Sequence, residues 1–410
     1  MSPIPLFAPF RGERYADPSS LARRLAPPYD VISLEQRERL AAQDPANIVR
    51  VDLPAADGGG DPYAAAARLL ADWRLHGVLV RDGEASAYVL RTTSRFEDGS
   101  LRARTGVFLA VAAEPSAGGR VKPHEKTHQG PKEDRRRLTH ATASNLSPVF
   151  LLVPDTAGEL EGLLRHVTAG APWAEAEAIG ASHEVWVVSG ARATEIAWAA
   201  GAEAAYIADG HHRYETSVVL RDEAPPAWRA GAQRTLAHVV SFRDPGLEIL
   251  PTHRVVAGAP VSRGKLLEAA VGPFFEPAAS PRSAVLTVVF GDGSEAALAC
   301  NPEADLDHVP GLPGPWAWGL PSWMCDELLV RRCAARLVSE GPALGYTPSA
   351  VEARAAARGA GAAFAVLLRP TELREVKLIS DLGQVMPPKS TYFAPKVPTG
   401  VVLRPLEGEG

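Results

Sequence analysis

The sequence predicts an α+β fold with mixed sheets. Short apolar runs of strand length recur through the chain, among them Val149 to Val153, Val185 to Val188 and Ala204 to Ala208. Two pairs of strand-like segments are joined by hairpin turn residues, Glu97-Asp98-Gly99-Ser100 and Gly291-Asp292-Gly293. Helical segments lie between them without the strict strand–helix alternation of a doubly wound sheet. A length of 410 residues accommodates two or three domains or subdomains. Pro and Gly cluster over 243–283, which divides the chain into an N-terminal α+β region, 1–242, and a C-terminal α+β region, 243–410.

From the N-terminus, Ser33 followed by Gln36 reads as a capping box opening a helix to Ala42. Asn47 to Pro54 alternates like a strand, and 62–76 is an Ala-rich amphipathic helix containing Trp73. Residues 86–93 and 101–113 form the first hairpin, and Asp134 to Ala143 is a basic helix. The strands at 149–153, 185–188 and 204–208 follow, then a turn at Asp209-Gly210 and a helix-compatible stretch from Tyr214 to Leu220. Beyond it come strands at 234–242 and 247–251 and the second hairpin at 284–300. Helices at 323–338 and 349–358 and a strand at 364–368 precede a Pro-, Lys- and aromatic-rich tail, Met386 to Leu403.

Composition is globular, 46% apolar and 22% charged, with a formal net charge of −5. No global basic field recruits nucleic acid. No apolar span approaches the ~20 residues of a membrane helix, and the start Met-Ser-Pro-Ile-Pro lacks a signal-peptide pattern. The expected compartment is the cytoplasm. Cys300, Cys325 and Cys333 make neither a disulfide framework nor a zinc knuckle. Walker, G-x-G-x-x-G and G-x-S-x-G motifs are absent.

The densest chemistry is Ile-Ala-Asp-Gly-His-His-Arg-Tyr at 207–214. A strand-to-helix turn offers backbone N–H groups and a helix N-terminus to an anion. Gly210, His212 and Arg213 are candidate phosphate or nucleotide ligands there, and His211 a catalytic group. Asp209 is a candidate metal ligand or base. The bland alternative is a capped helix with solvated His and Arg.

His124-Glu125-Lys126-Thr127-His128 is formally H-E-x-x-H, a zinc-hydrolase pattern when helical. Pro123 before it and Gly130-Pro131 after it argue instead for a polar loop, with Glu125 as a candidate acid/base and His124 as a substrate contact. The charge run 131–137 reads as a solvated helix start whose arginines could reach polyphosphate. Pro251-Thr252-His253-Arg254 repeats the His-Arg pair and adds Arg254 to the candidate anion ligands. In Pro387 to Lys396, Lys389 and Lys396 are candidate phosphate ligands and Ser390 and Thr391 candidate substrate contacts, on a tail that closes over a charged ligand.

Together these blocks resemble the bacterial and archaeal domain-of-unknown-function family numbered 1015: 28–33, 47–54, 124–127, 130–135, 145–148, 208–216, 251–254 and 386–396. The Asp209-Gly210-His211-His212-Arg213 turn also resembles the signature of the ParB/sulfiredoxin superfamily, matching the Asp-Gly-His-x-Arg form of free serine kinases. That resemblance implies a ParB/sulfiredoxin-like nucleotide-binding core with an additional α/β subdomain. His stands where sulfiredoxins carry Cys, which argues against sulfinic acid repair.

The expected function is a phosphotransferase, moving phosphate from ATP, ADP or pyrophosphate with Mg²⁺ to a hydroxyl of a small metabolite, free serine first among them. The alternative is a ParB-like nucleotide switch or adaptor without substantial turnover; a zinc hydrolase ranks last. On this reading Arg213→Ala and His212→Ala abolish donor binding and leave thermal stability nearly intact. Oligomeric state stays open.

Overall fold

The computed structural model describes residues 4–55, 60–96, 98–125, 129–280, 282–305, 309, 312–338 and 343–408. The chain forms two compact units. The first comprises Met1–Pro123, Thr127–Glu248 and Pro395–Gly410; the second comprises His124–Lys126 and Ile249–Ala394. Each mixes helices and strands, in the α+β manner expected.

In the first unit the main elements are β1 (Phe7–Ala8), α1 (Leu34–Gln43), α2 (Val49–Asp52), α3 (Pro62–Leu75), β2 (Ser86–Arg95), β3 (Leu101–Ala112), β4 (Val121–Lys122) and α4 (Gln129–Thr142). They continue with β5 (Val149–Val153), α5 (Glu159–Val167), β6 (Ala174–Ala178), β7 (Ala181–Ser189), α6 (Gly190–Ala200), β8 (Ala205–Asp209), α7 (His211–Glu223) and β9 (Arg234–Ser241). The strands make one sheet in the order β4-β8-β5-β9-β3-β2-β7-β6, with β1 beside β3. Within it β4/β8 and β5/β9 are parallel and the other pairs antiparallel. The sheet is therefore mixed, as the irregular rhythm of the sequence predicts.

Strand alternation gives the sheet two faces. Val107, Leu109 and Val111 of β3, Val149, Leu151 and Val153 of β5, and Ile207 of β8 share a core with Leu160 and Leu164 of α5 and Ile196 of α6. Arg104, Gly106 and Phe108 of β3 occupy the alternate positions, with His238 opposite Phe108 and Phe150 opposite His238. The first hairpin pairs Arg95 with Leu101 as expected; Glu97 of its turn lies outside the described residues.

One strand expectation is overturned. Residues 47–54 contain the helical turn α2 instead. Asn47 Oδ1 accepts from Val49 N at 3.0 Å, while its Nδ2 donates to Arg23 O at 2.8 Å and Leu25 O at 3.2 Å. Asn47 thus caps a turn and ties it to the preceding segment. Ile48, Val49, Val51 and Asp52 are all buried, whereas a strand would turn Ile48 and Val49 to opposite faces.

The tail also departs from the two-region division. From Pro395 onward it belongs to the first unit, where Arg404-Pro405 pairs with Ser144-Asn145. Arg404 is 1% exposed and donates to Asn145 Oδ1, Arg234 O and Gly231 O. Val401, Val402, Leu403 and Leu406 are buried with it, so apolar burial and an internal arginine hold the tail down.

The second unit contains β10 (His253–Ala257), α8 (Arg263–Ala270), β11 (Phe275–Pro277), β12 (Leu286–Val289), β13 (Glu295–Cys300), α9 (Met324–Cys333, wound as a π-helix), β14 (Leu344–Thr347), α10 (Ala350–Ala357), β15 (Ala362–Leu368) and α11 (Leu373–Asp381). Its strands run in the order β11-β13-β12-β15-β10-β14, all antiparallel. The hairpin expected at 284–300 is β12–β13, closed where Asp292 accepts from Ser294 N at 2.8 Å. Among the described residues no helix is long and apolar enough to cross a membrane.

Candidate functional site

In the first unit β8 runs through buried Ala205 to Ala208 and delivers Asp209 to the turn. Gly210 has φ +88°, a left-handed conformation, and a Cβ there would stand 2.9 Å from Arg213 Nε and Cζ. Glycine meets both demands at once. Helix α7 begins at His211, with Tyr214 N donating to Gly210 O at 3.0 Å. The segment 207–214 is thus the expected buried strand, turn and helix start, the turn made by a left-handed glycine.

The side chains of this turn are tied to one another. Arg213 Nη2 donates to Asp209 Oδ2 at 2.8 Å, and Arg213 Nη1 donates to the Pro148 carbonyl. Lys396, from the returning tail, donates to Asp209 Oδ1 at 3.1 Å. Burial opposes ionisation of Asp209, but Lys396, Arg213 and His211 outweigh it and hold the carboxyl well below the usual carboxylate range. Burial likewise opposes the charge of Arg213, and Asp209, Asp30, Tyr29 and Asp52 restore it, leaving its pKa raised.

Several segments converge behind the turn. Arg135 of α4 stacks on Tyr29 at 3.9 Å from the ring centre, and Arg213 lies 5.9 Å from the same ring. Arg135 Nη1 donates to Asp52 O at 2.8 Å and Asp52 Oδ1 at 3.1 Å, and Ser147 Oγ donates to the same carboxylate oxygen at 3.1 Å. Burial raises the Asp52 pKa against the pull of Arg135 and Arg213. A cavity of about 30 Å³ is lined by Asp52, Arg135, Ser147 and Arg213 among others. Its size suits a water molecule, not a nucleotide.

In the second unit another group of candidates comes together. Arg254 is fully buried and pairs with Asp326 through Nε to Oδ1 at 3.0 Å and Nη2 to Oδ2 at 3.1 Å. Arg254 Nη1 donates to Thr252 O and Lys389 O, and Nη2 to Pro388 O. Every nitrogen of the guanidinium therefore has an internal acceptor. Arg254, a candidate phosphate ligand in the sequence, here anchors the tail loop that carries Lys389. That loop holds Lys389 at φ +58° with its side chain exposed. Ser390 is also internal: its Oγ donates to Pro387 O at 2.6 Å and lies 2.7 Å from Ser322 Oγ. Thr391 Oγ1 lies 3.0 Å from Nε2 of buried His124, whose carbonyl accepts from Met386 N at 2.7 Å.

Glu125 forms a parallel bridge with Met386. Of the H-E-x-x-H pattern, the described residues His124 and Glu125 lie outside any helix, Glu125 in that bridge. Lys126, Thr127 and His128 of that pattern lie outside the described residues. Among those described, no cluster of three or more His, Cys, Asp or Glu could hold a metal ion. Both oxygens of Asp209, the expected magnesium ligand, already accept from cations.

The structure thus brings Asp209, Gly210, His211, His212, Arg213 and Lys396 into one unit, and His124, Glu125, Arg254, Lys389, Ser390 and Thr391 into the other. Sequence reasoning missed Asp52, Arg135 and Asp326, the partners of the buried arginines. Only Arg135 carried a signal, as part of the 131–137 charge run.

A family model described as "Protein of unknown function (DUF1015)" matches residues 7–315. The chain belongs to the DUF1015 family. No curated protein matches it. Among solved structures, the DUF1015 chain is similar to a free serine kinase variant in complex with AMP, at 13% identity and TM-score 0.37, covering 70% of this chain and 87% of that one. A free serine kinase variant in complex with ADP gives 14% identity and TM-score 0.36, covering 70% and 87%. C-terminally truncated SbnI from Staphylococcus aureus gives 10% identity and TM-score 0.37, covering 71% and 84%.

Proposed function

We propose that the protein is a phosphotransferase of small metabolites, using ATP, ADP or pyrophosphate with Mg²⁺ and a hydroxyl acceptor for which free serine is the first to test. The observation that carries this reading is the charge balance at the 209–213 turn. Asp209 is held ionised between Lys396 and Arg213 at the start of a 13-residue helix. Lys396 and Arg213 flank the Asp209 carboxylate, with Asp30 and Asp52 offsetting part of the Arg213 charge, and the helix N-terminus adds about half a positive charge. Such a centre attracts an anion, and phosphoryl transfer is mainly positioning and charge stabilisation. In this reading Gly210 N–H, His211, His212 and Lys396 meet the donor phosphates. Arg213 sets the turn from within.

One observation favours the switch reading without turnover. Magnesium at Asp209 competes with the cations Lys396 and Arg213 already on its two oxygens, which raises the cost of metal-assisted chemistry.

Calorimetric titration with ADP and phosphorus NMR with Mg²⁺, each donor and pooled hydroxyl acceptors test both. Lys396→Ala is expected to weaken ADP binding about tenfold, the loss of one charge-assisted contact. A new phosphomonoester signal establishes the kinase. ADP binding without product supports the switch. No binding by the wild-type protein overturns both.

A further inference from the structure

The face of the first unit's sheet that turns away from the α5–α6 core carries a second basic group. Arg104 is 1% exposed. Its Nη1 donates to Pro395 O at 2.5 Å, and its guanidinium lies 4.7 Å from the centre of the Phe150 ring. Nε and Nη2 have no hydrogen-bond partner among the described residues. These two nitrogens form the side-on edge of a guanidinium, the edge that grips a carboxylate through two parallel N–H···O bonds. Asp244 contributes charge nearby, but its oxygens accept from Thr105 N and Gly246 N, each at 2.9 Å. Burying two guanidinium donors without acceptors costs several kcal/mol, which an anion at that edge would recover.

His238 belongs to the same face. It is 1% exposed and lies between Phe108 at 4.8 Å and Phe150 at 5.8 Å with the rings tilted by 57° and 54°, and neither ring nitrogen has a hydrogen-bond partner among the described residues. The register row runs Phe108, His238, Phe150, Asp209, which puts His238 two strands from Asp209, about 10 Å at ordinary strand spacing. The tail joins the two centres directly: Pro395 holds Arg104 and its neighbour Lys396 holds Asp209.

We infer that the Nε–Nη2 edge of Arg104 binds a small organic carboxylate on the same sheet face as the Asp209 turn. This deepens the function proposed above and rests on it in one respect: the carboxylate is that of the acceptor, which is then a hydroxy acid. A monoanion fits better than phosphate. A planar carboxylate matches the fork, and one negative charge balances one guanidinium, whereas a phosphate dianion would exceed it beside Asp244. The aromatic rings around the group exclude water and strengthen the contact. Because Arg104 is buried, entry requires local displacement of its cover, and the Pro395–Lys396 segment is part of that cover.

The full-length protein is titrated separately with L-serine, L-lactate, glycerate and inorganic phosphate, and in parallel with ADP. At least one carboxylate is expected to bind, and Arg104→Lys to weaken it tenfold or more while leaving ADP affinity unchanged. Equal carboxylate binding by Arg104→Lys overturns the inference. So does a site that takes only phosphate. ADP binding with no carboxylate bound overturns it and leaves the nucleotide reading standing. Carboxylate binding that depends on Arg104, without ADP binding, does the reverse. Should Arg104→Lys not fold, the Nε–Hε resonance of Arg104 in the wild-type protein decides: it must shift on carboxylate saturation, and an unmoved resonance refutes the site.

Discussion

Replacing Arg213 with alanine removes three things at once. Asp209 Oδ2 loses a donor at 2.8 Å, the Pro148 carbonyl loses its donor, and a side chain only 9% exposed leaves a void beside Tyr29. Breaking a buried ion pair by removing one partner costs about 3–5 kcal/mol, because the remaining charge stays buried. For a unit of roughly 250 residues that corresponds to a fall of roughly 6–20 °C in melting temperature. Sequence reasoning alone expected Arg213→Ala to leave stability nearly intact. Burial of the guanidinium reverses that expectation. His212, half-buried at the helix start, is not in the same position, so His212→Ala is expected to melt close to the wild type. Scanning fluorimetry of the two variants side by side measures this. An Arg213→Ala midpoint within about 2 °C of the wild type would refute the claim that Arg213 clamps the turn.

Burial depresses the His253 pKa to about 4, and its Nδ1 accepts from Leu368 N at 3.1 Å, a bond only the unprotonated nitrogen can make. A base with a depressed folded pKa destabilises the fold as pH drops from about 6.5 toward 4, here by up to about 3 kcal/mol. Denaturant titrations should show that slope in the wild type and a flatter one in His253→Gln; equal slopes count against it. Asp326→Asn should free the tail loop, since the amide cannot accept both guanidinium bonds from Arg254. Amide exchange across 386–391 is expected to accelerate at least tenfold, and unchanged protection would show that the loop does not depend on the pair.

Much of this protein was legible along the chain because periodicity and turn chemistry are local. The strands at 149–153 and 204–208, both hairpins, the Ser33 cap and the Asp209-Gly210 turn each follow from a few adjacent residues. Residues 47–54 misled because their apolar and polar residues alternate over a short span, while the turn is set by the hydrogen bonds of Asn47 to Val49 N and to the Arg23 and Leu25 carbonyls. Partner choice was not legible. Nothing near Arg254 or Arg213 in sequence states that one is consumed by Asp326 and the Pro388 and Lys389 carbonyls and the other by Pro148. An arginine reads alike whether it will face a ligand or satisfy buried carbonyls, since the difference lies in desolvation and in acceptors tens of residues away. The tertiary structure alone decided that Lys396 returns to Asp209, that Arg254 works inside the fold, and that Arg104 is buried with one edge of its guanidinium unpaired among the described residues.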